Sequence, residues 1–271
     1  MIRGNGNRAK LAGVFAVIAL GTMPYGAWRG QGLETRVAAA SDLKFALDDL
    51  ATQYERQTSN KLNITYGSSG NFFSQIRNGA PFDMFFSADI EYPRNLDAAG
   101  LADSASLYEY AVGQLVLWAP RDSNIDLLGQ RWNALLDTKV HKIAIANPDH
   151  APYGRAAVAA LHKAGIYEKV ATKLVYGENI SQTAQFAQSG NAQVGIVAMS
   201  LALSPAMKDG KRWDIPTDTH EPIRQAVVIL AGAKNKQSAR AFLDFVQSGA
   251  GRATLAKYGF KVPRSDLKVS P

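Results

Sequence analysis

The alternation of short apolar strands with amphipathic helices constrains the fold of this chain most. Residues 35–40 (TRVAAA), 62–66 (LNITY) and 82–87 (FDMFFS) have the apolar content or the alternation of β-strands. The intervening residues 43–54 and 72–78 carry apolar side chains at helical spacing. Strand, helix, strand, helix, strand within about fifty residues indicates parallel βαβ units. The first part of the chain is therefore predicted to form an α/β sheet.

The same alternation continues to the end of the chain. Further strands are predicted at residues 114–119, 142–146, 173–175, 193–198 and 224–230, and further helices at residues 153–163, 180–189, 238–247 and 252–258. So many strands fit two α/β lobes of similar size better than one sheet. No proline-rich linker divides the chain, so we expect it to cross between the lobes along extended segments, at residues 108–117 and 216–226.

The N-terminus has the pattern of a secretory signal peptide. Arg3, Arg8 and Lys10 precede an uncharged run over residues 11–27, which ends in small residues. This run is shorter than the roughly 20 apolar residues that span a bilayer. We therefore predict that residues 1–30 are a signal peptide and that the mature protein is soluble and located in the periplasm.

Charge and cysteine content exclude several classes of function. The predicted signal peptide holds four basic residues and no acid, so its removal lowers the net charge from +7 to +3. No block of lysine or arginine follows, which argues against a nucleic-acid partner. The chain has no cysteine, which excludes disulfides, thiolate metal sites and a lipid-anchored cysteine.

The sequence lacks the common signatures of enzymes. The turn at residues 66–71 (YGSSGN) does not match G-x-S-x-G, and there is no Walker A loop. The four histidines do not have metal-binding spacing. We therefore predict that the protein is not an enzyme, while a secreted serine hydrolase using Ser69 stays as an alternative.

Polar residues recur where a predicted strand leads into a predicted helix, at Ser41-Asp42, Ser68-Ser69, Tyr153-Gly154 and Asn179-Ile180. Each could be an ordinary N-cap, which stabilises a helix by about 1 kcal/mol without any ligand. Helix N-termini also present free N–H groups and a partial positive charge, and several that converge can hold an anion. Of the paired serines at 68 and 69, only one is needed as a cap.

Six motifs together resemble one family over essentially the whole mature chain. They are AAASDL (38–43), YGSSGNFFSQIRNGAPFDMFFSAD (66–89), ANPDHAPYG (146–154), GENISQT (177–183), GIVAMS (195–200) and KYGF (257–260). The combination is similar to the periplasmic molybdate-binding proteins of ABC importers. The resemblance implies a type II periplasmic-binding-protein fold, in which a hinge joins two α/β lobes and the ligand lies in the cleft between them. With the crossing segments above, it predicts one lobe over residues 31–112 and 221–271, and the other over residues 113–220.

The resemblance also implies a function and its partners. The protein would capture molybdate, and tungstate as well, and deliver it to the membrane permease of an ABC importer. It would act as a monomer without a cofactor, and molybdenum would be bound only as the oxyanion. The alternatives of the same fold are a binding protein for another oxyanion such as sulfate or phosphonate, or for a metal cation held by Asp42, Asp83 and Asp89.

The family's ligand positions transfer to individual residues of this chain. Ser41 and Ser69 match the two serines that donate their hydroxyl groups to the anion. Tyr153 and Ile180 match the two positions that donate a backbone N–H. These four residues, with Asp42, form the predicted molybdate site.

The fifth contact departs from the family pattern. The family often places a tyrosine after GIV, where this chain has Ala198. A subgroup instead has a polar residue, usually Asn, directly after the first serine, where this chain has Asp42. A carboxylate that faced a dianion at close range would repel it. We therefore expect Asp42 either to offer only its backbone N–H or to turn its side chain away as a cap.

Overall fold

The computed structural model describes Met1 and residues 34–263; the rest of the predicted signal peptide lies outside the described residues. The strands are β1 (Glu34–Ala40), β2 (Lys61–Gly67), β3 (Met84–Ser87), β4 (Tyr108–Gly113), β5 (Leu115–Ala119), β6 (Ile143–Ala146), β7 (Leu174–Gly177), β8 (Val194–Ala198), β9 (Lys211–Asp214) and β10 (Ile223–Ile229). The helices are α1 (Lys44–Gln57), α2 (Ser69–Arg77), α3 (Glu91–Ala98), α4 (Leu127–Gln130), α5 (Pro152–Lys163), α6 (Tyr167–Val170), α7 (Ile180–Gln188), α8 (Met199–Ala202), α9 (Lys236–Gln247) and α10 (Gly249–Lys257).

These strands form two sheets of five strands each. The first sheet has the order β2-β1-β3-β10-β4, with β1 parallel to both of its neighbours and β10 antiparallel to β3 and β4. The second has the order β7-β6-β8-β5-β9, with β6 parallel to both neighbours and β5 antiparallel to β8 and β9. Each sheet with its covering helices is one lobe, so the predicted two-lobe α/β fold is confirmed.

Helices cover both faces of the first sheet, which explains the continuous apolar runs in its inner strands, at residues 37–40, 84–86 and 226–229. On one face α1 and α9 bury Leu47 and Phe242, and on the other face α2 and α3 bury Phe72 and Leu96. The second sheet is buried in the same way, and all five residues of β5 are in its core. No helix within residues 34–263 is both long and apolar enough to cross a lipid bilayer.

The chain crosses between the lobes twice. It leaves the first sheet at Gly113 and enters the second at Leu115, so the first crossing is at Gln114. It returns between Asp214 and Ile223. The first sheet is thus built from the chain before and after the second sheet. The exact bounds of the lobes stay a prediction.

Two strands of the structure were not expected from the sequence. Residues 108–113 were predicted only as part of a crossing segment, and residues 211–214 were not assigned to any element. They form β4 and β9, which lie at the outer edges of the two sheets. An edge strand has one free side and needs no continuous apolar run, so the Lys-Arg-Trp-Asp sequence of β9 gives no strand signal.

Candidate functional site between the two lobes

The five predicted site residues line one small cavity between the lobes. The lining residues are Ala40, Ser41, Asp42, Gly67, Ser68, Ser69, Ala88, Ala151, Pro152, Tyr153 and Ile180. The first lobe supplies the residues that follow β1, β2 and β3. The second lobe supplies the first turns of α5 and α7, which follow β6 and β7. Both sets lie at the carboxyl ends of parallel strands, where open α/β sheets bind their ligands.

Ser69 is the first residue of α2 and is buried. Its Oγ accepts a hydrogen bond of 2.9 Å from the backbone N–H of Ala88. Since the oxygen atom is held as an acceptor, the hydroxyl hydrogen is left to donate in another direction. The structure therefore orients Ser69 as a hydrogen-bond donor at the cavity.

Ser41 begins a short 3-10 turn after β1 and contacts the start of α7 in the other lobe. Its Oγ donates to Asn179 Oδ1 at 3.1 Å and accepts from the N–H of Ser181 at 3.3 Å. Asn179 Oδ1 also caps α7 by accepting from the N–H groups of Ser181 and Gln182. The Ser41 hydroxyl can therefore turn to an anion without leaving Asn179 unpaired.

Tyr153 and Ile180 offer backbone N–H groups from helix N-termini. They are the second residue of α5 and the first residue of α7. N–H groups in the first turn of a helix have no acceptor within that helix, and neither of these has one elsewhere in residues 34–263. The two helix ends also contribute partial positive charge, so this wall of the cavity consists of donors.

Asp42 is fully buried, and its carboxyl group contacts Tyr153 and Gln225. Its Oδ2 accepts from the Tyr153 hydroxyl at 2.9 Å and from Gln225 Nε2 at 2.6 Å. Its Oδ1 has no partner among the described residues. Burial raises the pKa of Asp42 from 3.8 to about 6, while the hydrogen bonds from Gln225 and Tyr153 partly oppose this. The side chain therefore does not cap a helix; it bonds across to α5.

Further contacts hold the lobes together at the rim of the cavity. Ser68 Oγ and the N–H of Gly70 both donate to the carbonyl oxygen of His150, at 2.5 Å and 3.0 Å. Asn71 Nδ2 donates to Glu178 Oε1 at 2.6 Å. Ser68 occupies the N-cap position of α2 but makes no capping hydrogen bond. It braces the opposite lobe instead, and the structure is the closed arrangement of the two lobes.

The acidic residues of the metal-cation alternative do not converge. Asp83 accepts from Arg36 at 2.8 Å and from the N–H of Lys234 at 2.8 Å. Asp89 accepts from the N–H of Glu91 at 2.9 Å and pairs with Arg155 at 2.5 Å. Within residues 34–263, no group of three or more histidine or acidic side chains is placed to hold a metal ion.

Two neighbouring features, the His150 ring and a larger cavity, do not provide an alternative functional site. The His150 ring contacts Ser68 at 3.0 Å and not Ser69, so it is not placed as the base for a Ser69 nucleophile. A larger cavity of about 440 Å³ lies beside the site and includes Arg155 and Arg224. Both of these guanidinium groups are already paired with carboxylates, so the larger cavity offers no free cation for an anion.

Several residues of the site were not found by sequence reasoning. Asn179 and Ser181 are exceptions: they had a sequence signal and were predicted as polar residues at a helix start, where an N-x-S sequence is typical of a cap. His150, Ser200 and Gln225 had none, since each acts through a partner that is 82, 158 and 183 residues away. Such contacts depend on the docking of the two lobes.

Two α/β lobes, joined by two chain crossings and closed over a site lined with hydrogen-bond donors, define a solute-binding protein of the periplasmic-binding type. The family model of bacterial extracellular solute-binding proteins matches residues 35–261. The chain is 40% identical over 250 residues to the molybdate-binding protein ModA of Azotobacter vinelandii, covering 90% of this chain and 96% of ModA. It is 37% identical over 227 residues to ModA of Rhodobacter capsulatus, covering 84% and 88%.

Structural comparison gives the same result. The A. vinelandii periplasmic molybdate-binding protein superposes with a TM-score of 0.80 at 33% identity, covering 85% of this chain and all of that one. The chain belongs to the ModA family of bacterial extracellular solute-binding proteins. This confirms the predicted family and fold. The relatives are binding proteins rather than enzymes.

Proposed function

We propose that this protein captures molybdate, and tungstate as well, in the periplasm and delivers it to the membrane permease of an ABC importer. The observation that carries the proposal is the donor-lined cavity between the closed lobes. The ModA proteins to which the chain is 37% and 40% identical are named for molybdate binding, which supports the same ligand here. The predicted signal peptide would place the protein in the periplasm, where it acts as a monomer.

The chemistry of the cavity walls favours a fully ionised oxyanion. Ser41 and Ser69 supply hydroxyl donors, and Tyr153 and Ile180 supply N–H donors at helix N-termini. We assign the fifth contact to the backbone N–H of Asp42, because its carboxylate already bonds to other residues. A protonated oxyanion would need an acceptor, whereas molybdate and tungstate at neutral pH are dianions that need only donors.

Opening and closing of the lobes would load and release the anion. The two chain crossings, at Gln114 and between Asp214 and Ile223, are the connections about which the lobes can rotate. A ligand that contacts both lobes binds the closed state better than the open one and shifts the equilibrium towards it. The closed form is then the state that the permease receives.

Thermal unfolding with added oxyanions tests the proposal. We expect molybdate and tungstate to raise the melting temperature, because a ligand at 1,000 times its dissociation constant adds about 4 kcal/mol to the stability. Ser69→Ala should weaken molybdate binding by roughly 10- to 100-fold, the effect of losing a hydrogen bond to a charged group. Ser74→Ala is the matched control, since Ser74 is an exposed serine of the same helix. Stabilisation by sulfate alone would contradict the proposal.

A further inference from the structure

A buried polar cluster joins the two lobes next to the proposed anion site. It consists of Asp42, Tyr110, Tyr153 and Gln225, and none of these residues is more than 2% exposed. Asp42, Tyr110 and Gln225 belong to the first lobe, whereas Tyr153 lies on α5 of the second. We call this set the Gln225 cluster, because Gln225 contacts the other three members.

The direction of each hydrogen bond in the Gln225 cluster follows from the chemistry of the groups. The Asp42 carboxylate only accepts, so the Tyr153 hydroxyl donates to it and keeps a lone pair for Gln225 Nε2 at 3.0 Å. The other amide hydrogen of Gln225 donates to Asp42 at 2.6 Å, and Oε1 accepts from Tyr110 at 2.8 Å. A flipped amide would place two acceptors in contact. Gln225 thus uses both of its donors and its acceptor oxygen.

The two phenols remain donors over the whole physiological range. Burial and the nearby Asp42 carboxylate raise the pKa of Tyr153 and of Tyr110 well above the usual tyrosine value. Ser200 on α8 contacts Asp42 as well, with its Oγ 2.7 Å from the backbone carbonyl oxygen. The backbone and the side chain of Asp42 are therefore both tied to the second lobe.

Packing leaves the cluster almost no room to shift. A Cβ atom added at Gly113 would lie 2.1 Å from the Tyr153 hydroxyl oxygen and 2.8 Å from Gln225 Nε2. Only glycine allows the phenol to reach the first lobe at this point. The hydroxyl group is therefore confined between Gly113, Gln225 and Asp42, and the separation of Asp42 from Tyr153 is fixed.

This fixed separation affects anion binding, because Asp42 and Tyr153 also line the walls of the anion cavity. Asp42 directly follows Ser41 on one wall of the cavity, and the backbone of Tyr153 forms the opposite wall. We propose that Gln225 is a positioning residue that sets the spacing of these two walls and thereby selects molybdate over the smaller sulfate. The inference rests on the proposed function, and it assigns the control of size to a residue that does not line the cavity.

Size is the property by which the site must distinguish molybdate from sulfate. Molybdate and sulfate are both tetrahedral dianions, so the same donors satisfy both, and charge does not distinguish them. A rigid tie between the walls stops them from closing onto the smaller anion, which then makes longer and weaker hydrogen bonds. Specificity of this kind depends on penalising the competitor as much as on fitting the ligand.

The test compares dissociation constants for molybdate and for sulfate, with sulfate measured by calorimetric competition against molybdate. Gln225→Met keeps an unbranched side chain of similar length but removes the amide. Tyr153→Phe removes only the hydroxyl and keeps the backbone N–H, so it serves if the first variant folds poorly. Gln53→Met is the matched control, because the Gln53 amide also donates hydrogen bonds, to Asp49 and Thr254, but has no part in the cluster or the cavity. We expect the preference for molybdate to fall roughly tenfold in both cluster variants and to stay unchanged in the control.

Each outcome decides the inference. A preference that stays at the wild-type value in both cluster variants, or a loss of affinity by the same factor for both anions, overturns it and leaves a structural role only. A wild-type protein that does not bind molybdate overturns the proposed function and this inference with it. A wild-type protein that binds molybdate while the variants keep its selectivity overturns the inference alone.

Discussion

The carboxyl group of Asp42 gains two hydrogen bonds in the folded protein but loses its hydration, and the loss of hydration has the larger effect on its pKa. Its native pKa is about 6, against 3.8 for the unperturbed group. An acid whose pKa is raised by folding stabilises the protein while it is protonated. That stability is complete below pH 4 and is lost as the pH rises through about 6.

Asp42→Asn should therefore change how stability depends on pH. The shift corresponds to about 3 kcal/mol, which the wild type loses between pH 4 and pH 7 and the variant does not. Asn keeps an oxygen that can accept from Tyr153 and Gln225, so the cluster survives. Urea unfolding of both proteins at several pH values measures the difference. A stability difference that is the same at pH 4 and pH 8 would show that Asp42 has an ordinary pKa.

Among the elements, the first turn of α2 contacts the opposite lobe through its backbone. Gly70 donates its N–H to the carbonyl oxygen of His150, and a Cβ atom at Gly70 would lie 2.6 Å from that oxygen. Glycine at this position therefore allows the N-terminus of α2 to reach the other lobe. The contact exists only while the lobes are closed.

Gly70→Ala should weaken anion binding more than it destabilises the first lobe, where the new Cβ would meet only the end of the Tyr92 side chain, 2.9 Å from its hydroxyl oxygen. The clash at the closed interface is expected to cost about 1–3 kcal/mol, which lowers molybdate affinity by roughly 5- to 150-fold. Gly249→Ala is the control, because a Cβ there meets no atom within 4 Å. Calorimetry gives the affinities, and thermal unfolding without ligand gives the stabilities. If the ligand-free Gly70→Ala protein unfolds at a lower temperature by as much as the bound protein does, the glycine acts within its own lobe.

The sequence predicts the elements well where they are buried on both faces or bear a helical stripe. The segment at 35–40 and the helix at 153–163 correspond to β1 and α5 to within a residue. The predicted helix from residue 72 begins three residues earlier, at Ser69, because α2 takes the paired serines and Gly70 into its first turn. The edge strands β4 and β9 lack a continuous apolar run, so they were not predicted.

The residues of the candidate site could be predicted from the sequence, but the contacts between their side chains could not. The five residues were named from the motifs, and they line one cavity. What the sequence could not show is that the Asp42 side chain bonds to Tyr153 and Gln225, since these lie 111 and 183 residues away. The Asp42 carboxylate, whose negative charge was expected to repel a nearby anion, is thus held by hydrogen bonds from Tyr153 and Gln225.

At the level of the molecule, the two lobes differ in how the chain builds them. All five strands of the second sheet lie between Leu115 and Asp214, whereas the first sheet needs β10 from near the C-terminus. Strand β4 pairs with β10 and makes one isolated bridge to Lys261, and β10 also completes the pairing of β3.

We expect residues 114–216 to fold on their own and residues 34–113 not to. A single segment of about 100 residues with a complete sheet is large enough for a stable core. The N-terminal segment alone would leave the edges of β3 and β4 open. Circular dichroism during urea unfolding should show a cooperative transition for the first fragment only. A cooperative transition for residues 34–113 would mean that β10 is dispensable.

The interior position of β10 also sets when the protein can fold during its synthesis. A chain that emerges from its N-terminus presents β1 to β4 early, but their sheet stays open until Ile223–Ile229 has followed. The first lobe therefore completes only after almost the whole polypeptide has been made. A late-arriving strand therefore also delays the interlobe cavity, because the walls that follow β1, β2 and β3 belong to the first lobe.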